Sequence, residues 1–498
     1  MRTAFRAGLL LLAAAALGAC SGGATPTAPG VLTPVDFGPP PIQREMRGVW
    51  IATVANIDWP SRSALPAEQQ RAELDDIFER AVAGGFNAVF LHIRPASDAL
   101  YDSALEPWGA MLTGVQGVNP GYDPLSYAVT AAHARGLEIH AWINPFRAGN
   151  ARDTASLAPA HLFNARRDLV RVYGTQLWLD PGEPATQDHV MRVVSDIVQR
   201  YDIDGVHADD YFYPYQQNDA AGRLIDFPDS GSYARSGSTL ARADWRRANV
   251  DRFVERMYRE VHALKPVIKV GISPFGIWRP GNPAGVNGLD AYATIYADSR
   301  KWLQQGWLDY LAPQLYWAIT APQQSFPALL DWWLAQSTMG RHVWPGLAAY
   351  RVADGTASAF SQAELPDQVR LTRTRAAGTG HLLYNTTSTL KKFNGAVVAS
   401  LATLYASRAL VPAVPWLDAA APATPTVAVA SRVVQMIPGA GELPRWWVVR
   451  ARAGGVWTTR VIFGDQRSTT LGLTPDRVLL TSVDQAGNTS GAAAWPVP

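Results

Sequence analysis

The stretch Asp204-Gly205-Val206-His207-Ala208-Asp209-Asp210-Tyr211-Phe212-Tyr213-Pro214 decides the fold that we predict for this chain. Side chains alternate along a strand, so His207 and Asp209 point to the face opposite the small apolar residues. An apolar face opposite a carboxylate, at the carboxyl end of a strand, is the layout of an α/β-barrel active site. Asp-Gly and Asp-Asp pairs are also common in turns, and a plain turn is the alternative interpretation.

The same layout recurs on both sides of this stretch, which becomes the fourth of eight predicted strands. The others are residues 47–54, 87–94, 137–144, 268–273, 309–317, 343–350 and 382–386. Helical periodicity lies between several of them, at residues 68–83, 125–135, 187–200, 245–264 and 292–305. Strands alternating with helices form a parallel sheet, and eight such units close a barrel. The predicted fold class is therefore α/β, a (β/α)8 TIM-type barrel followed by a small all-β sandwich module.

Length and composition agree with a carbohydrate-active barrel that carries extra segments. The chain has 498 residues, whereas one barrel needs about 250, so two or three domains are expected. A net charge of +2 argues against a dedicated nucleic-acid binder. The 18 tryptophans favour a polysaccharide partner, because indole faces pack well on the apolar C–H faces of sugar rings.

The N-terminus predicts a lipoprotein signal peptide. Arg2 and Arg6 precede an apolar run that ends in Leu17-Gly18-Ala19-Cys20, which is typical of a signal peptide and too short to span a membrane. The segment resembles the bacterial lipobox, so we expect lipidation of Cys20, with an ordinary cleaved signal as the alternative. Ser21 after this cysteine resembles the outer-membrane sorting pattern, which predicts a lipid-anchored protein of the bacterial cell envelope facing the periplasm. Cys20 is the only cysteine, so no intrachain disulfide can form.

These signals divide the chain into five predicted segments. They are a signal peptide at 1–20, a flexible tether at 21–43, the barrel at 44–410, a proline-rich linker at 411–426 and a β module at 427–498. Short strands are predicted in the module at residues 446–449, 458–462 and 478–483. The segment Val483-Asp484-Gln485-Ala486-Gly487-Asn488-Thr489-Ser490 resembles the last strand and turn of fibronectin type III-like modules, and a two-strand extension of the barrel is the alternative.

A set of motifs across residues 44–405 carries a family resemblance. They include Arg47-Gly48-Val49-Trp50, Asn56-Ile57-Asp58-Trp59-Pro60, Arg94-Pro95-Ala96-Ser97-Asp98-Ala99-Leu100-Tyr101, His140-Ala141-Trp142-Ile143-Asn144-Pro145 and Gly271-Ile272-Ser273-Pro274-Phe275-Gly276-Ile277-Trp278. Together with the opening stretch they resemble the glycosyl-hydrolase-like family 10 of bacterial lipoproteins. The resemblance implies a TIM-type barrel that hydrolyses glycosidic bonds in a cell-envelope polysaccharide. Ala208 stands where the resemblance leads us to expect a larger residue such as Phe, a change of packing only.

Two adjacent carboxylates are the predicted catalytic residues. Glycoside hydrolysis needs an acid for the leaving oxygen and a second group to supply or stabilise the attack. Strand parity places Asp209 in the barrel mouth, and Asp210 follows it. The alternative for Asp210 is a loop cap or an ion pair with Arg94 or Arg279. No acid ends strands five to eight, which matters less for an N-acetylated sugar, whose own acetamido group can act as the nucleophile.

The predicted substrate-binding residues are aromatic and polar side chains at the strand ends. They are Trp50, His92, Arg94, Asp98, His140, Trp142, Asn144, His207, Tyr211, Trp278, Gln314, Tyr316 and Trp317. The aromatic rings are expected to stack on sugars, and the polar groups to bind hydroxyls.

The predicted function is a glycoside hydrolase that acts on peptidoglycan glycan strands and needs no cofactor. His92, His140 and His207 share the parity of Asp209, so a metal-dependent polysaccharide deacetylase or amidohydrolase is one alternative. A non-catalytic glycan-binding lipoprotein is another, because a fold does not determine a function. The sequence leaves the sugar, the linkage and the oligomeric state open.

Overall fold

Eight parallel strands form a closed barrel within residues 38–496, the part of the chain that the computed structural model describes. In order they are β1 (Met46–Ile51), β2 (Ala88–Arg94), β3 (Glu138–Ile143), β4 (Gly205–Ala208), β5 (Lys269–Ile272), β6 (Tyr310–Leu311), β7 (His342–Val343 and Gly346–Ala348) and β8 (Gly380–Tyr384). The two parts of β7 pair with β6 and β8, and β8 pairs with β1, which closes the ring. The predicted TIM-type barrel is confirmed.

One main helix follows each strand. The helices are α1 (Ala67–Ala83), α2 (Pro124–Ala134), α3 (Pro184–Arg200), α4 (Arg242–Leu264), α5 (Ser299–Gln305), α6 (Phe326–Gln336), α7 (Glu364–Arg373) and α8 (Lys392–Leu401). Local chemistry sets several of their ends. The Asp123 carboxylate accepts the N–H groups of Leu125 and Ser126 at the start of α2, and Gly306 takes the left-handed conformation that ends α5.

Alternation along the strands sorts the buried residues into two layers. The outward faces, such as Val89, Leu91 and Ile93 of β2, pack under the helices in the larger apolar cluster. The inward faces fill the barrel with a second cluster that includes Phe90, Trp142, Tyr310 and Trp344. Filled layers of this kind leave room for a binding site only at the ends of a barrel.

An insertion between β3 and α3 adds a small sheet that the sequence did not predict. Its strands, Arg147–Asn150, Val170–Tyr173 and Gln176–Leu179, are antiparallel. The first of them begins four residues after β3 ends, so the insertion starts beside the carboxyl ends of the barrel strands. A second insertion, between β4 and α4, contains the short helix Ser230–Ser236.

Beyond the barrel, the described residues form two antiparallel sheets. One contains Thr426–Ala430, Val433–Ile437 and Ser468–Thr470, and the other contains Trp446–Ala453, Val456–Phe463, Arg477–Val483 and Ala493–Trp495. Side chains from both sheets, including Val434, Met436, Trp447 and Leu480, share one apolar core. The all-β module is confirmed, and the alternative of a two-strand extension is wrong. Three of its strands match the predicted ones.

The β module packs against the amino-terminal side of the barrel, away from the carboxyl strand ends. Arg445 donates to both Asp204, the residue before β4, at 2.6 Å and Asp202 at 2.7 Å. Phe463 stacks on His133 of α2 with ring centroids 4.7 Å apart. These elements all belong to one compact unit that begins at Pro41.

Across residues 38–496, no helix combines the length and the apolar character that a bilayer crossing requires. Cys20 and the predicted signal peptide lie outside the described residues.

Candidate active site

A cleft of about 230 Å³ opens at the carboxyl ends of the barrel strands. Eight of the residues predicted for the site line it: Trp50, His92, Trp142, Asn144, Asp209, Tyr211, Gln314 and Tyr316. The sequence analysis did not select five further lining residues: Val54, Arg147, Ser273, Tyr350 and Tyr384. Ser273, Tyr350 and Tyr384 lie at strand ends, and this position alone could have identified them as lining residues. Arg147 had no such signal, because it lies on the insertion sheet.

Strand β4 carries the carboxylate pair into the cleft. Its last residue, Ala208, is fully buried and accepts the backbone N–H of Ser273 at 2.9 Å. The next residue, Asp209, faces the cleft, as strand parity predicted. Its Oδ1 accepts the backbone N–H of Asp210 at 2.8 Å and the side-chain amide of Gln314 at 3.3 Å. The local strand geometry therefore positions one carboxylate without any long-range ion pair.

Asp210 lies behind Asp209 and is also buried, with 3% of its surface exposed. Its Oδ2 accepts a short hydrogen bond from the Tyr215 hydroxyl. The alternative ion pairs do not form, because Arg94 pairs with Glu106 and Arg279 pairs with Asp290. Asp210 is thus available to interact with Asp209 itself.

The two carboxyl groups titrate as a pair. Burial raises the pKa of Asp209, although hydrogen bonds and the charge of Arg147 oppose this effect. Burial also raises the pKa of Asp210. The negative charge of Asp209 raises it further, so the shift is larger than for Asp209. The backbone N–H of Asp210 donates to Asp209 Oδ1, which favours the charged form of Asp209 and lowers its pKa relative to burial alone. Like charges side by side favour one shared proton over full ionisation, so the pair is suited to holding a proton for acid catalysis.

A tier of histidines lies beneath the cleft rather than in it. His207 contacts the Tyr310 hydroxyl at 3.1 Å, Ser273 Oγ at 3.0 Å and Trp50 Nε1 at 3.1 Å. His140 contacts the same Tyr310 hydroxyl at 2.9 Å. Burial lowers the pKa of both imidazoles, which keeps them neutral. They hold the floor of the cleft through hydrogen bonds.

The arrangement of the histidines gives no support to the metal-dependent alternative. Within residues 38–496, the acids Asp418, Glu442 and Asp484 are the group whose ligand atoms converge closely enough to hold a metal ion, and they lie in the linker and the β module. His92, His140 and His207 do not converge in this way. Zinc needs ligands that meet at one point.

One wall of the cleft carries polar atoms without protein partners. Both ring nitrogens of His92, Nε1 of Trp142 and Oδ1 of Asn144 are buried and make no hydrogen bond to described residues. The His92 and Trp142 rings stack with centroids 3.9 Å apart. A buried polar atom without a partner costs about 1–3 kcal/mol, so a cluster of them is typical of a site that gains hydrogen bonds from a ligand.

Tyrosines form the opposite wall. The Tyr316 ring lies 5.9 Å from Tyr350 and 6.1 Å from Tyr384, centroid to centroid. Tyr384 in turn lies 6.2 Å from Trp50. Aromatic rings around a narrow polar cleft are suited to holding a sugar.

The remaining predicted residues lie outside the cleft lining. Arg94 is fully buried, pairs with Glu106 at 2.6 Å and donates to the Asn144 carbonyl at 2.5 Å. Asp98 is buried and accepts the Ala96 N–H at 3.0 Å. Trp278 donates to Asp298 and stacks near Trp332, while Trp317 packs against Phe275. Arg94 therefore supports the loop that carries Asn144.

The sequence pattern of the family described as "Glycosyl hydrolase-like 10" matches residues 45–362. The chain belongs to this family. Glycosyl hydrolase YngK of Bacillus subtilis (strain 168) is 41% identical over 394 residues, covering 77% of this chain and 76% of that protein. Glycosyl hydrolase DigH of Escherichia coli (strain K12) is 36% identical over 372 residues, covering 69% of this chain and 83% of that protein.

Among solved structures, the PgaB (BpsB) glycoside hydrolase domain from Bordetella bronchiseptica is similar with a TM-score of 0.48 and 13% identity. The similarity covers 72% of this chain and 98% of that domain. Family membership confirms the predicted enzyme class, so this member of the glycosyl hydrolase-like 10 family is a glycoside hydrolase.

Proposed function

We propose that this glycoside hydrolase cleaves the glycan strands of peptidoglycan in the bacterial cell envelope. The observation that carries the proposal is the buried Asp209–Asp210 pair at a narrow aromatic cleft, where burial raises the pKa of both carboxyl groups. The cleft is lined by rings suited to sugars and by buried polar atoms that lack protein partners. A polymer of N-acetylated sugars meets both kinds of contact, through its ring faces and its hydroxyl and acetamido groups.

The composition of the cleft also favours an N-acetylated substrate. Asp209 is the one acidic residue among the described residues that line the cleft. Enzymes that use two opposed carboxylates hold them about 5–10 Å apart across the substrate, whereas here the two acids are sequence neighbours on one side. When the substrate's acetamido oxygen attacks the anomeric carbon, one acid and one supporting carboxylate suffice.

In this mechanism Asp209 delivers the proton to the leaving oxygen as the acetamido oxygen forms a bond to the anomeric carbon. Asp210, the adjacent carboxyl group with the more strongly raised pKa, supplies that proton to Asp209. A water molecule then opens the cyclic intermediate, and its proton returns to the carboxylate pair. Each turnover thus consumes one water and restores the protonation state of the pair.

Digestion of purified peptidoglycan tests the substrate. Strands with stem peptides and strands without them are incubated separately with the wild-type protein and with Asp209→Asn. We expect new reducing ends and soluble oligosaccharides from at least one preparation with the wild-type protein only. The mass of the released ends identifies which bond is cut. Release of products from chitin but from neither peptidoglycan preparation would contradict the proposed substrate.

Lipid anchoring at Cys20 belongs to the same proposal, because an envelope glycan would then lie within reach of the enzyme. Replacing Cys20 by Ala should move the protein from the membrane fraction to the soluble fraction, since acyl chains supply the anchoring energy. Immunoblotting of fractionated cells measures the change, with Ser21→Ala as the control that keeps the thiol. A Cys20→Ala protein that still sediments with membranes contradicts the anchor.

A further inference from the structure

A single cation lines the described part of the cleft, and it has no partner there. Arg147 is half-buried in the cleft wall. Within residues 38–496, its guanidinium makes neither a hydrogen bond nor an ion pair, and it lies over the Tyr211 ring, 5.8 Å from the ring centroid. Buried arginines elsewhere in the barrel differ, since Arg94 and Arg246 each hold carboxylates. Five strong donors directed at a cleft without an acceptor are typical of a site for an anion.

The backbone around Arg147 is held firmly in place. Its carbonyl accepts the Ser97 hydroxyl at 3.1 Å, and its strand pairs with Trp178 of the insertion sheet. The preceding loop is held by the Arg94 guanidinium, which donates to the carbonyls of Asn144 and Pro145 at 2.5 and 3.0 Å. The position of this cation is therefore part of the architecture of the site and not an accident of a surface side chain.

Asp209, the acidic residue nearby, does not neutralise the positive charge of Arg147. Arg147 influences Asp209 electrostatically but forms no ion pair with it within 4.0 Å. The Asp209 carboxylate already accepts two hydrogen bonds, from Asp210 and Gln314. The guanidinium thus keeps its donors for a group that enters the cleft with the substrate.

We propose that Arg147 is a specificity-determining residue that binds a carboxylate carried by the sugar in the cleft. A guanidinium binds a carboxylate with two parallel hydrogen bonds, whereas a neutral hydroxyl satisfies only one of them. The proposal rests on the proposed function only in taking the cleft as a glycan site. Glycans offer such a carboxylate from two sources, the lactyl ether of muramic acid when no peptide is attached to it, or the C6 carboxylate of a uronic acid.

Binding of matched sugars tests the proposal without any need for turnover. N-acetylmuramic acid and N-acetylglucosamine differ by the lactyl group alone, and glucuronic acid places its carboxylate at C6. Ligand-detected NMR titrations with the wild-type protein should show one of the two acids binding at least about tenfold more tightly than N-acetylglucosamine, the scale expected for one charge-assisted contact. Arg147→Gln should remove most of that preference, and Arg152→Gln, an exposed arginine of the same insertion, should keep it.

Whichever acid shows the preference identifies the source of the carboxylate. Equal binding of charged and neutral sugars by the wild-type protein, binding of none of them, or an unchanged preference in Arg147→Gln overturns the role of Arg147. A charge preference without any cleavage of peptidoglycan overturns the proposed substrate instead, so the two failures are distinguishable.

Kinetic measurements distinguish binding of a substrate anion by Arg147 from an effect of Arg147 on the pKa of Asp209. If Arg147 binds the substrate, Arg147→Gln raises KM for a carboxylate-bearing oligosaccharide, and chemical reduction of that carboxylate to an alcohol shrinks the difference between wild type and variant. If Arg147 acts only on Asp209, the pH profile of kcat moves by the same amount for the charged and the reduced substrate, and the proposal is overturned.

Discussion

At the scale of single residues, neighbouring side chains of one type have different roles because their surroundings differ. Asp209 faces the cleft and accepts two hydrogen bonds, while Asp210 lies behind it against Tyr215. Burial raises the pKa of both, and the charge of Asp209 adds to the rise for Asp210. The same residue type thus occurs twice in succession after one strand, as one carboxylate that faces the cleft and one that lies behind it.

Asp209→Asn keeps the shape of the side chain and removes its charge. We expect turnover to fall by at least about a hundredfold, the lower end of what one acid–base residue contributes, with the fold and glycan binding intact. Steady-state kinetics, circular dichroism and a binding assay measure the three quantities. Asp153→Asn, an exposed acid on the insertion, is the control. Near-normal hydrolysis by a folded Asp209→Asn protein would remove this residue from the mechanism.

Asp210→Asn tests the sharing of the proton. Removing the neighbouring carboxyl removes the like charge that keeps a proton on the pair, so the alkaline limb of kcat/KM should move to lower pH. The rate should also fall by a factor comparable to that of Asp209→Asn. A small loss with an unchanged pH profile would show that Asp210 only caps the loop.

Asp98 provides a pH test that is independent of catalysis. Burial raises the pKa of this carboxyl to about 6. A carboxyl whose pKa is higher in the folded state binds more protons there, so unfolding free energy falls as pH rises from about 4 through 6. Asp98→Asn has no such proton to lose and should be more stable than wild type by about 1–3 kcal/mol at pH 8, but not at pH 4.

Thermal melts of Asp98→Asn and wild type across pH 4–8 measure this difference. Asp102→Asn, whose side chain is largely exposed, serves as the control. A stability gap between Asp98→Asn and wild type that stays constant over the whole pH range contradicts the raised pKa.

At the scale of elements, the loops after β2 and β3 are built as one unit. The Arg94 guanidinium pairs with Glu106 on the loop after β2 and donates to Asn144 and Pro145 on the loop after β3. His189 of α3 contacts the same Glu106 carboxylate, at Oε1, over 2.9 Å. The wall of the cleft that carries Asn144 and Arg147 thus depends on a buried ion pair that lies outside the cleft lining.

Arg94→Met should break this unit. The variant leaves Glu106 buried without its main cation, which typically costs about 3–5 kcal/mol of unfolding free energy. KM should also rise, because the loop that carries Asn144 and Arg147 loses two hydrogen bonds. Urea denaturation and steady-state kinetics measure the two effects. The double variant Arg94→Met/Glu106→Gln should recover part of the stability but not the KM, and a single variant within about 1 kcal/mol of wild type contradicts the argument.

At the scale of the whole molecule, a buried charge network joins the β module to the barrel. Burial alone would raise the pKa of Asp204, but the charges of Arg445 and His133 outweigh it and hold that pKa below the usual range. The Asp204 carboxylate also accepts the backbone N–H of Ile139 at 2.8 Å. One carboxylate therefore connects β3, α2 and the module, on the side of the barrel away from the cleft.

Arg445→Leu should weaken this joint. It leaves Asp204 buried with less compensation, so we expect a loss of about 3–5 kcal/mol of unfolding free energy with little change in kcat. Differential scanning calorimetry and activity assays measure the outcome. Arg370→Leu removes a surface ion pair instead and should change stability by less than about 1 kcal/mol. Equal melting temperatures for the two variants would contradict a structural role for the network.

Local patterns in the sequence were sufficient to predict the barrel and the residues at the centre of the cleft. Strand alternation is a property of neighbouring residues, so the period of two placed Asp209 in the barrel mouth and Val206 in the packed face. The same rule found Trp142, Gln314 and Tyr316, which all line the cleft. The family motifs then identified the class of enzyme. The helices α6–α8 and four strands of the β module were not predicted.

Tertiary structure alone decided which charged side chains are paired and which face the cleft, because strand parity does not distinguish them. Arg94 and Arg147 are both cations near the end of a barrel strand, yet one is neutralised by Glu106 and the other faces the cleft. Their difference depends on a loop and an insertion sheet whose positions follow from packing over the barrel. The joint between Asp204 and Arg445 spans 241 residues of sequence, and no local period encodes such a contact. Electrostatic partners are set by distance in space, so only the folded chain determines which charges are paired and which are left for a ligand.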